Sequence, residues 1–153
     1  MDNILLTEIG ISERASLLPT ITEIWEASVR ATHGFLTDGD IARLKPLVEK
    51  AAASVMTLVV ASTDRCVGFM GVEDQKIEML FVHPAFIRRG IGTALVRYAL
   101  ERFDVDAVDC NEQNPVALAF YERMGFKVTG RTAIDDFGNP FPILTMRISE
   151  RDS

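Results

Sequence analysis

The stretch MLFVHPAFIRRGIGTALV, Met79 to Val96, runs from an apolar strand through a proline-containing loop into a helix that two glycines introduce. From Gly90 to Phe103 the residues Ile91, Ala94, Leu95, Tyr98 and Ala99 share one helical face, so the segment reads as an amphipathic helix. N–H groups at a helix start have no partner within the helix and sit at the positive end of its dipole. Glycines there let an anion approach closely, which makes Arg88, Arg89, Gly90, Ile91, Gly92 and Thr93 a candidate phosphate cradle. Two adjacent arginines in an acidic chain strengthen that field; their plain alternative is a pair of solvated surface charges.

Upstream of this stretch, Val55 to Ala61 and Val67 to Val72 flank a turn at Thr63 to Arg65 and predict a β-hairpin, with Lys76 to Val82 as a third strand. Further back, Asn3 to Ile9 reads as a short strand. Ile21, Ile24, Trp25, Ser28 and Val29 then recur at helical spacing in a helix opening near Pro19. A second helix covers Asp38 to Ala53, with Thr37 as N-cap and Pro46 kinking or splitting it. Downstream, Ala107 to Asn111 is a strand, Asn114 caps the helix that Pro115 opens, and Gly125 ends that helix after Met124. Phe126 to Thr132 and Pro142 to Ile148 close the chain as strands joined by the turn-rich DDFGNP. This order predicts an α/β (α+β) fold, a mixed sheet with helices on its faces.

The 153 residues suit one domain, 1–153, and 48% apolar with 25% charged residues is an ordinary globular composition. Cys66 and Cys110 lack the short spacing of a disulfide framework or zinc site and read as reduced structural thiols, and no metal is expected. MDNILLTEIG has an acid where a signal peptide would be basic, and no apolar run approaches ~18 residues, so a cytoplasmic protein with no membrane contact is expected. A net charge of −6 opposes nucleic-acid partners and fits neutral or cationic small ones.

GIGTAL also resembles the start of a dinucleotide fingerprint, with Asp109 about 20 residues on as a ribose ligand. Three details argue against it. Leu95 stands at the third glycine, seven residues separate Val82 from Gly90, and hairpins rather than βαβ units precede the loop. A P-loop fails because no G-x-x-x-x-G-K sequence is present.

Together with NEQNPVALAFYERMGF, Asn111 to Phe126, the Met79 to Val96 stretch resembles the GNAT superfamily of N-acetyltransferases. The family motif is Arg or Gln, two residues, Gly, one residue, then Gly or Ala; Gly90 and Gly92 match, and Ile87 stands at the Arg or Gln position. Asn114, Ala117, Phe120, Tyr121, Gly125 and Phe126 match the second segment. The resemblance implies a mostly antiparallel sheet of six to seven strands with four helices, whose strand from Glu78 to Val82 bulges and splays from Ala107 to Asn111. It implies acetyl coenzyme A as donor. The pantetheine arm would lie in the gap against Leu80, Phe81 and Val82, the diphosphate on the glycine loop, and Asn114, Ala117, Phe120 and Tyr121 would lie alongside.

Acetyl transfer from a thioester to an amine needs a neutral amine, a polarised carbonyl and a proton for the departing thiolate. Tyr121 is the candidate acid: a phenol at ~10 against a thiol at ~8.5 makes donation uphill by only ~2 kcal/mol. Glu78, the only acid of the splayed strand, is the candidate base; direct transfer from an ammonium is uphill by ~8 kcal/mol, which favours a water relay or an amine bound neutral. Trp25 to Phe35, WEASVRATHGF, resembles the helix and loop that frame the acceptor pocket, making Trp25, Thr32, His33 and Phe35 substrate candidates. On pattern alone Trp25 is core and His33 a helix-end polar group. Asp135 and Asp136 in the late turn either attract a cationic amine or make ordinary turn contacts. The expected reaction is direct attack by a primary amine, small or peptide-borne, in a ternary complex, and a homodimer would be ordinary for the family. A non-catalytic acyl coenzyme A sensor or protein-interaction module on the same fold is the alternative.

Overall fold

The computed structural model describes residues 3–135 and 138–148. Its elements are β1 (Leu5–Glu8), α1 (Leu18–Thr32), α2 (Asp38–Ser54), β2 (Thr57–Ser62), β3 (Cys66–Glu73), β4 (Lys76–Val82), α3 (Ile91–Arg102), β5 (Ala107–Asn111), α4 (Pro115–Arg123), β6 (Phe126–Thr132) and β7 (Ile143–Ile148). One seven-stranded sheet has the order β1-β2-β3-β4-β5-β7-β6, antiparallel everywhere except between β4 and β5. Among the described residues no helix is long and apolar enough to cross a membrane.

Helices cover both faces of the sheet, so β2 and β3 read as continuous apolar runs rather than alternating ones. Along β2, Val59 and Ala61 enter a core with Leu95 and Val96 of α3, while Leu58 and Val60 enter a second core with Ile21, Trp25 and Val29 of α1 and Leu44 and Val48 of α2. The two cores are thus set by the period-two alternation of a single strand.

Two expectations change. Pro46 neither splits nor ends its helix: α2 runs unbroken from a capping box in which Thr37 Oγ1 accepts from Asp40 N and Asp40 Oδ2 accepts from Thr37 N, both at 3.0 Å. Pro46 and Ala42, whose carbonyl the proline leaves without its helical donor, both face solvent, where water can serve that carbonyl. The first strand is shorter than Asn3 to Ile9, although Ile9 N still donates to Leu58 O at 2.8 Å.

The far end of α2 is closed by a residue remote in sequence. Arg14, 2% exposed, donates to the carbonyls of Ile9, Ala52, Ala53, Val55 and Met56. A buried cation at the negative end of a helix satisfies the carbonyls that the last turn leaves open. It also ties the β1–α1 connection to the α2–β2 corner.

The β4–β5 contact positions the site. Lys76 pairs with Ala107 and Ile77 with Val108, and there the parallel ladder stops. On its other edge β4 stays bonded to β3 up to Gly68 and Val82, with a bulge where Gly71 faces Met79 and Val72 faces Ile77. Glu78 is the extra residue of that bulge. Its added twist bends β4 away from β5 at the point where the ladder ends.

Candidate active site

A cavity of about 550 Å³ runs through the parting of β4 and β5. Glu78, Leu80 and Phe81 line it from β4, Asp109 and Cys110 from β5, and Asn114, Ala117 and Tyr121 from α4 and its cap. Trp25 and His33 of the α1 end, Phe35, and Phe141 of the β6–β7 loop close it on the opposite face of the sheet. Parts of the β4, β5, α4 and acceptor-side segments singled out in sequence therefore meet across one opening, while Val82, Phe120 and the loop Arg88 to Thr93 lie outside its lining.

On the α3 side Gly90 has φ +82° and occupies the N-cap with no side-chain cap. Among the described residues no side chain accepts from the first N–H groups of α3, at the positive end of the dipole, which suits an anion. A Cβ at Gly92 would stand 3.4 Å from Phe120 Cζ, so its absence lets the start of α3 lie against α4. Arg88 is also left-handed, φ +64°, so two left-handed residues within three turn the loop sharply. The guanidiniums of Arg65 and Arg89 lie 5.0 and 5.2 Å from the Phe86 ring centre. Ile91 is a core side chain, 2% exposed, and can offer only its backbone; Ile87 is 56% exposed. Thr93 is half-buried in the first turn of α3.

Beyond Ile77 the edge of β4 that faces β5 has no strand partner among the described residues, and Met79, Leu80 and Phe81 border the cavity there. Asn114 is buried because its Oδ1 accepts from Ala117 N at 3.1 Å, capping α4 after which Pro115 sets the first turn. That cap aims the helix carrying Tyr121 at the gap.

Tyr121 is 6% exposed, with its ring 5.2 Å from Phe120 and 6.0 Å, edge-on, from Phe126. Burial first, and then the charges of Cys110 and Asp109, raise its hydroxyl well above the ordinary phenol range. It stays a protonated donor at any working pH. Burial likewise pushes the Cys110 thiol up to about 11, helped by Asp109 and Glu122. A protonated thiol is a poor nucleophile.

Glu78 is not the only acid at the parting. Asp109, one residue past the last β4–β5 pair, shares the cavity; Lys76 Nζ lies 2.6 Å from its Oδ2 and 3.9 Å from Glu78 Oε1. The signal of Asp109 in the sequence is an acid at the centre of the apolar strand AVDCN.

His33 is the C-cap of α1, its N–H donating to Val29 O. Thr32 Oγ1 donates to Ser28 O at 2.9 Å and lies 2.8 Å from His33 Nδ1. The hydroxyl has one proton, so Nδ1 carries the hydrogen toward it and Nε2 is left as an acceptor. Burial pulls the imidazole down to about 4, and the ring is neutral at pH 7. Thr32 itself is exposed and outside the cavity lining, whereas Trp25 is both core, 4% exposed, and cavity wall. Phe35 bridges the two loops, 5.3 Å from both His33 and Phe141. The β6–β7 loop is pinned to α2 where Arg43 donates to Asn139 Oδ1, and Asn139 N donates to Asp135 Oδ1 at 2.8 Å. Asp135 lines the cavity; Asp136 lies outside the described residues.

Residues 36–148 match the family described as "Acetyltransferase (GNAT) domain". The chain is 40% identical over 124 residues to the peptidyl-lysine N-acetyltransferase YjaB of Salmonella typhimurium, covering 80% of this chain and 86% of that protein. The solution structure of apo YjaB from Escherichia coli superposes with TM-score 0.85 at 33% identity, over 97% of this chain and 99% of that one. PaiA N-acetyltransferase from Thermoplasma acidophilum, solved in complex with coenzyme A, shares the fold at TM-score 0.65 and 17% identity, over 95% and 99% of the two chains. Fold, parted strands and relatives agree, and the chain belongs to the GNAT family of acetyltransferases, which move an acetyl group from acetyl coenzyme A to an amine.

Proposed function

We propose that this protein acetylates the side-chain amine of lysine in peptides or proteins of the cytoplasm, by direct attack within a ternary complex. The observation that carries the reading is the cavity through the β4–β5 parting, with an uncharged acid, Tyr121, and carboxylates, Glu78 and Asp109, opening onto it. The YjaB relative, 40% identical, bears the name of a peptidyl-lysine N-acetyltransferase, which supports the acceptor class.

The residues present fit a coenzyme A thioester: among the described residues no side chain caps the first N–H groups of α3, Gly90 is an open left-handed residue, and no strand pairs with the β5-facing edge of β4 beyond Ile77. Arg88, Arg89, Gly90, Ile91, Gly92 and Thr93 would hold the diphosphate, the glycines and Ile91 through backbone alone. Leu80, Phe81 and Val82 would bind the pantetheine amides, and Asn114, Ala117 and Phe120 would support the arm from α4. The thioester supplies the activated acetyl group.

The chain's own part is protonic and positional. With the thioester bound, the amine nitrogen would bond to the acetyl carbon as the carbon–sulfur bond broke, and Tyr121 would give its proton to the sulfur. Burial that disfavours a phenolate disfavours a thiolate beside it as well, so the two acidities stay matched. The proton shed by the ammonium passes through water to Glu78, which is one-third exposed and so open to water. Cys110 takes no covalent part, because its thiol is held protonated. His33 Nε2, Phe35 and Trp25 would contact the acceptor's stem.

The test is incubation with acetyl coenzyme A and three acceptors: a lysine peptide with a blocked N-terminus, a lysine-free peptide with a free N-terminus, and a polyamine. Mass spectrometry should find acetylation of the lysine peptide with matching thiol release. Coenzyme binding with no thiol release from any acceptor would support the non-catalytic alternative.

A further inference from the structure

We propose that this protein transfers propionyl and butyryl groups as well as acetyl, the longer chain lying in an apolar arm of the cavity between α2 and β4 that Gly71 keeps open by giving the Met79 side chain a hollow. The inference rests on the coenzyme and acceptor reading above and goes beyond it by naming the class of donor.

The cavity extends well beyond the parting. On α2 and its C-cap, Leu44, Val48, Ala51 and Val55 line it at positions i, i+4, i+7 and i+11, which is one stripe of the helix. At 1.5 Å per residue that stripe is ~16 Å long. His33 and Phe35, which would hold the acceptor, precede the first turn of α2, whereas Val55 follows its last, so the acceptor leaves the far half of the stripe unused. The coenzyme would approach from α3, which follows the Val82 end of β4, and its arm would descend along Val82, Phe81 and Leu80. Continued in the same direction, a chain beyond the thioester reaches Met79, whose side chain packs on the core that holds Val48 and Val55.

Gly71 makes the room. It faces Met79 across the β3–β4 ladder at the bulge, and a Cβ there would stand 2.5 Å from Met79 Cε and 3.3 Å from Val55 Cγ2. The tip of Met79 thus occupies the place a side chain on β3 would fill; with that place taken, the thioether turns into the cavity that Met79 lines. A methionine has three rotatable bonds and adapts to what lies against it, which suits a wall that meets chains of different length. The walls also set the chemistry of the chain. Val48, Ala51, Val55 and Met79 are apolar, and Ser54 and Glu73 mark the far end, where Glu73 Oε1 accepts from Met56 N at 2.9 Å. An acyl group that ends in a carboxylate, such as succinyl, meets an acid there. Transfer balances as it does for acetyl: the amine nitrogen bonds to the butyryl carbonyl carbon, the carbon–sulfur bond breaks and the sulfur takes the Tyr121 proton. The ammonium sheds two protons, one to solvent and one that restores Tyr121, leaving a butyryl amide and free coenzyme A.

The test is calorimetric titration of acetyl, butyryl, hexanoyl and succinyl coenzyme A into wild type, Gly71→Ala and Met79→Ala, with mass spectrometry of a lysine peptide incubated with each donor. A methylene buried among apolar groups tightens binding by up to about fourfold. Butyryl coenzyme A should therefore bind wild type about three- to fifteenfold more tightly than acetyl coenzyme A, succinyl coenzyme A no more tightly than acetyl, and the peptide should be butyrylated. Gly71→Ala, which turns Met79 into the arm, should lower the butyryl-to-acetyl affinity ratio about fivefold, and Met79→Ala, which widens the arm, should raise the hexanoyl-to-acetyl ratio about threefold. These ratios are internal to each folded protein, so a less stable variant still reports. Butyryl coenzyme A binding wild type no more tightly than acetyl would overturn the proposal. So would ratios unmoved in both variants, or variants that change KM for the peptide at constant ratios, the mark of an arm that holds the acceptor's stem. Wild type that binds the donors in the expected order but acylates no peptide refutes the peptide acceptor, with the arm upheld by the ratios; wild type that binds no donor refutes the coenzyme reading and the arm with it.

Discussion

Replacing Tyr121 with phenylalanine removes one oxygen from a ring that is 6% exposed and held by Phe120 and Phe126. Packing is preserved, so Tm should move by no more than a few degrees. Catalysis should not be preserved. A positioned general acid is worth about 10²- to 10⁴-fold, or ~3–5 kcal/mol of barrier, and Tyr121 meets the conditions for that range: buried, protonated and beside the cavity. The assay is thiol release at saturating acetyl coenzyme A and peptide. Tyr121→Phe should lose at least a hundredfold in kcat with little change in either KM. The pH profile adds a second reading. Because the hydroxyl is raised above its ordinary value of 10.0, the wild-type rate should show no falling limb from this group up to pH 10. A variant within threefold of wild type, or a falling limb near pH 9 that Tyr121→Phe abolishes, would refute the assignment.

Arg14→Ala strips the shared donor from four carbonyls at the end of α2 and from that of Ile9, and should cost ~3–5 kcal/mol in urea unfolding; a loss below 1 kcal/mol would show that water replaces the guanidinium. His33 is depressed from 6.5 to about 4, so the unfolded chain binds more protons between those values. Stability should therefore fall as pH drops from ~6.5 toward 4, and His33→Gln should flatten that slope in melts taken across the range.

Local signals were legible where local chemistry decides structure. The spans Lys76–Val82, Ala107–Asn111 and Phe126–Thr132 match the expected strands, and Thr37 and Asn114 are caps as their side chains suggest. That α2 runs unsplit through Pro46 was not legible, because the proline's cost depends on which face of α2 meets water, a tertiary property. Arg14 was missed because the carbonyls it serves at α2 lie 38 to 42 residues away. Asp109 reads from sequence only as a ribose ligand, since its place in the cavity lining depends on the β4–β5 ladder ending one residue earlier. The glycine loop and Tyr121 stand out in sequence through paired motifs. The pinning of the β6–β7 loop by Arg43 and Asn139 has no comparable local mark.

The most direct test is calorimetric titration of acetyl coenzyme A into wild type and into a Gly90→Val, Gly92→Val double variant that melts cooperatively. Gly90 is left-handed, and a side chain at Gly92 would press on Phe120. The account predicts one-site binding by wild type, weakened at least tenfold in the variant. No uptake by folded wild type, or equal uptake by both proteins, would contradict it.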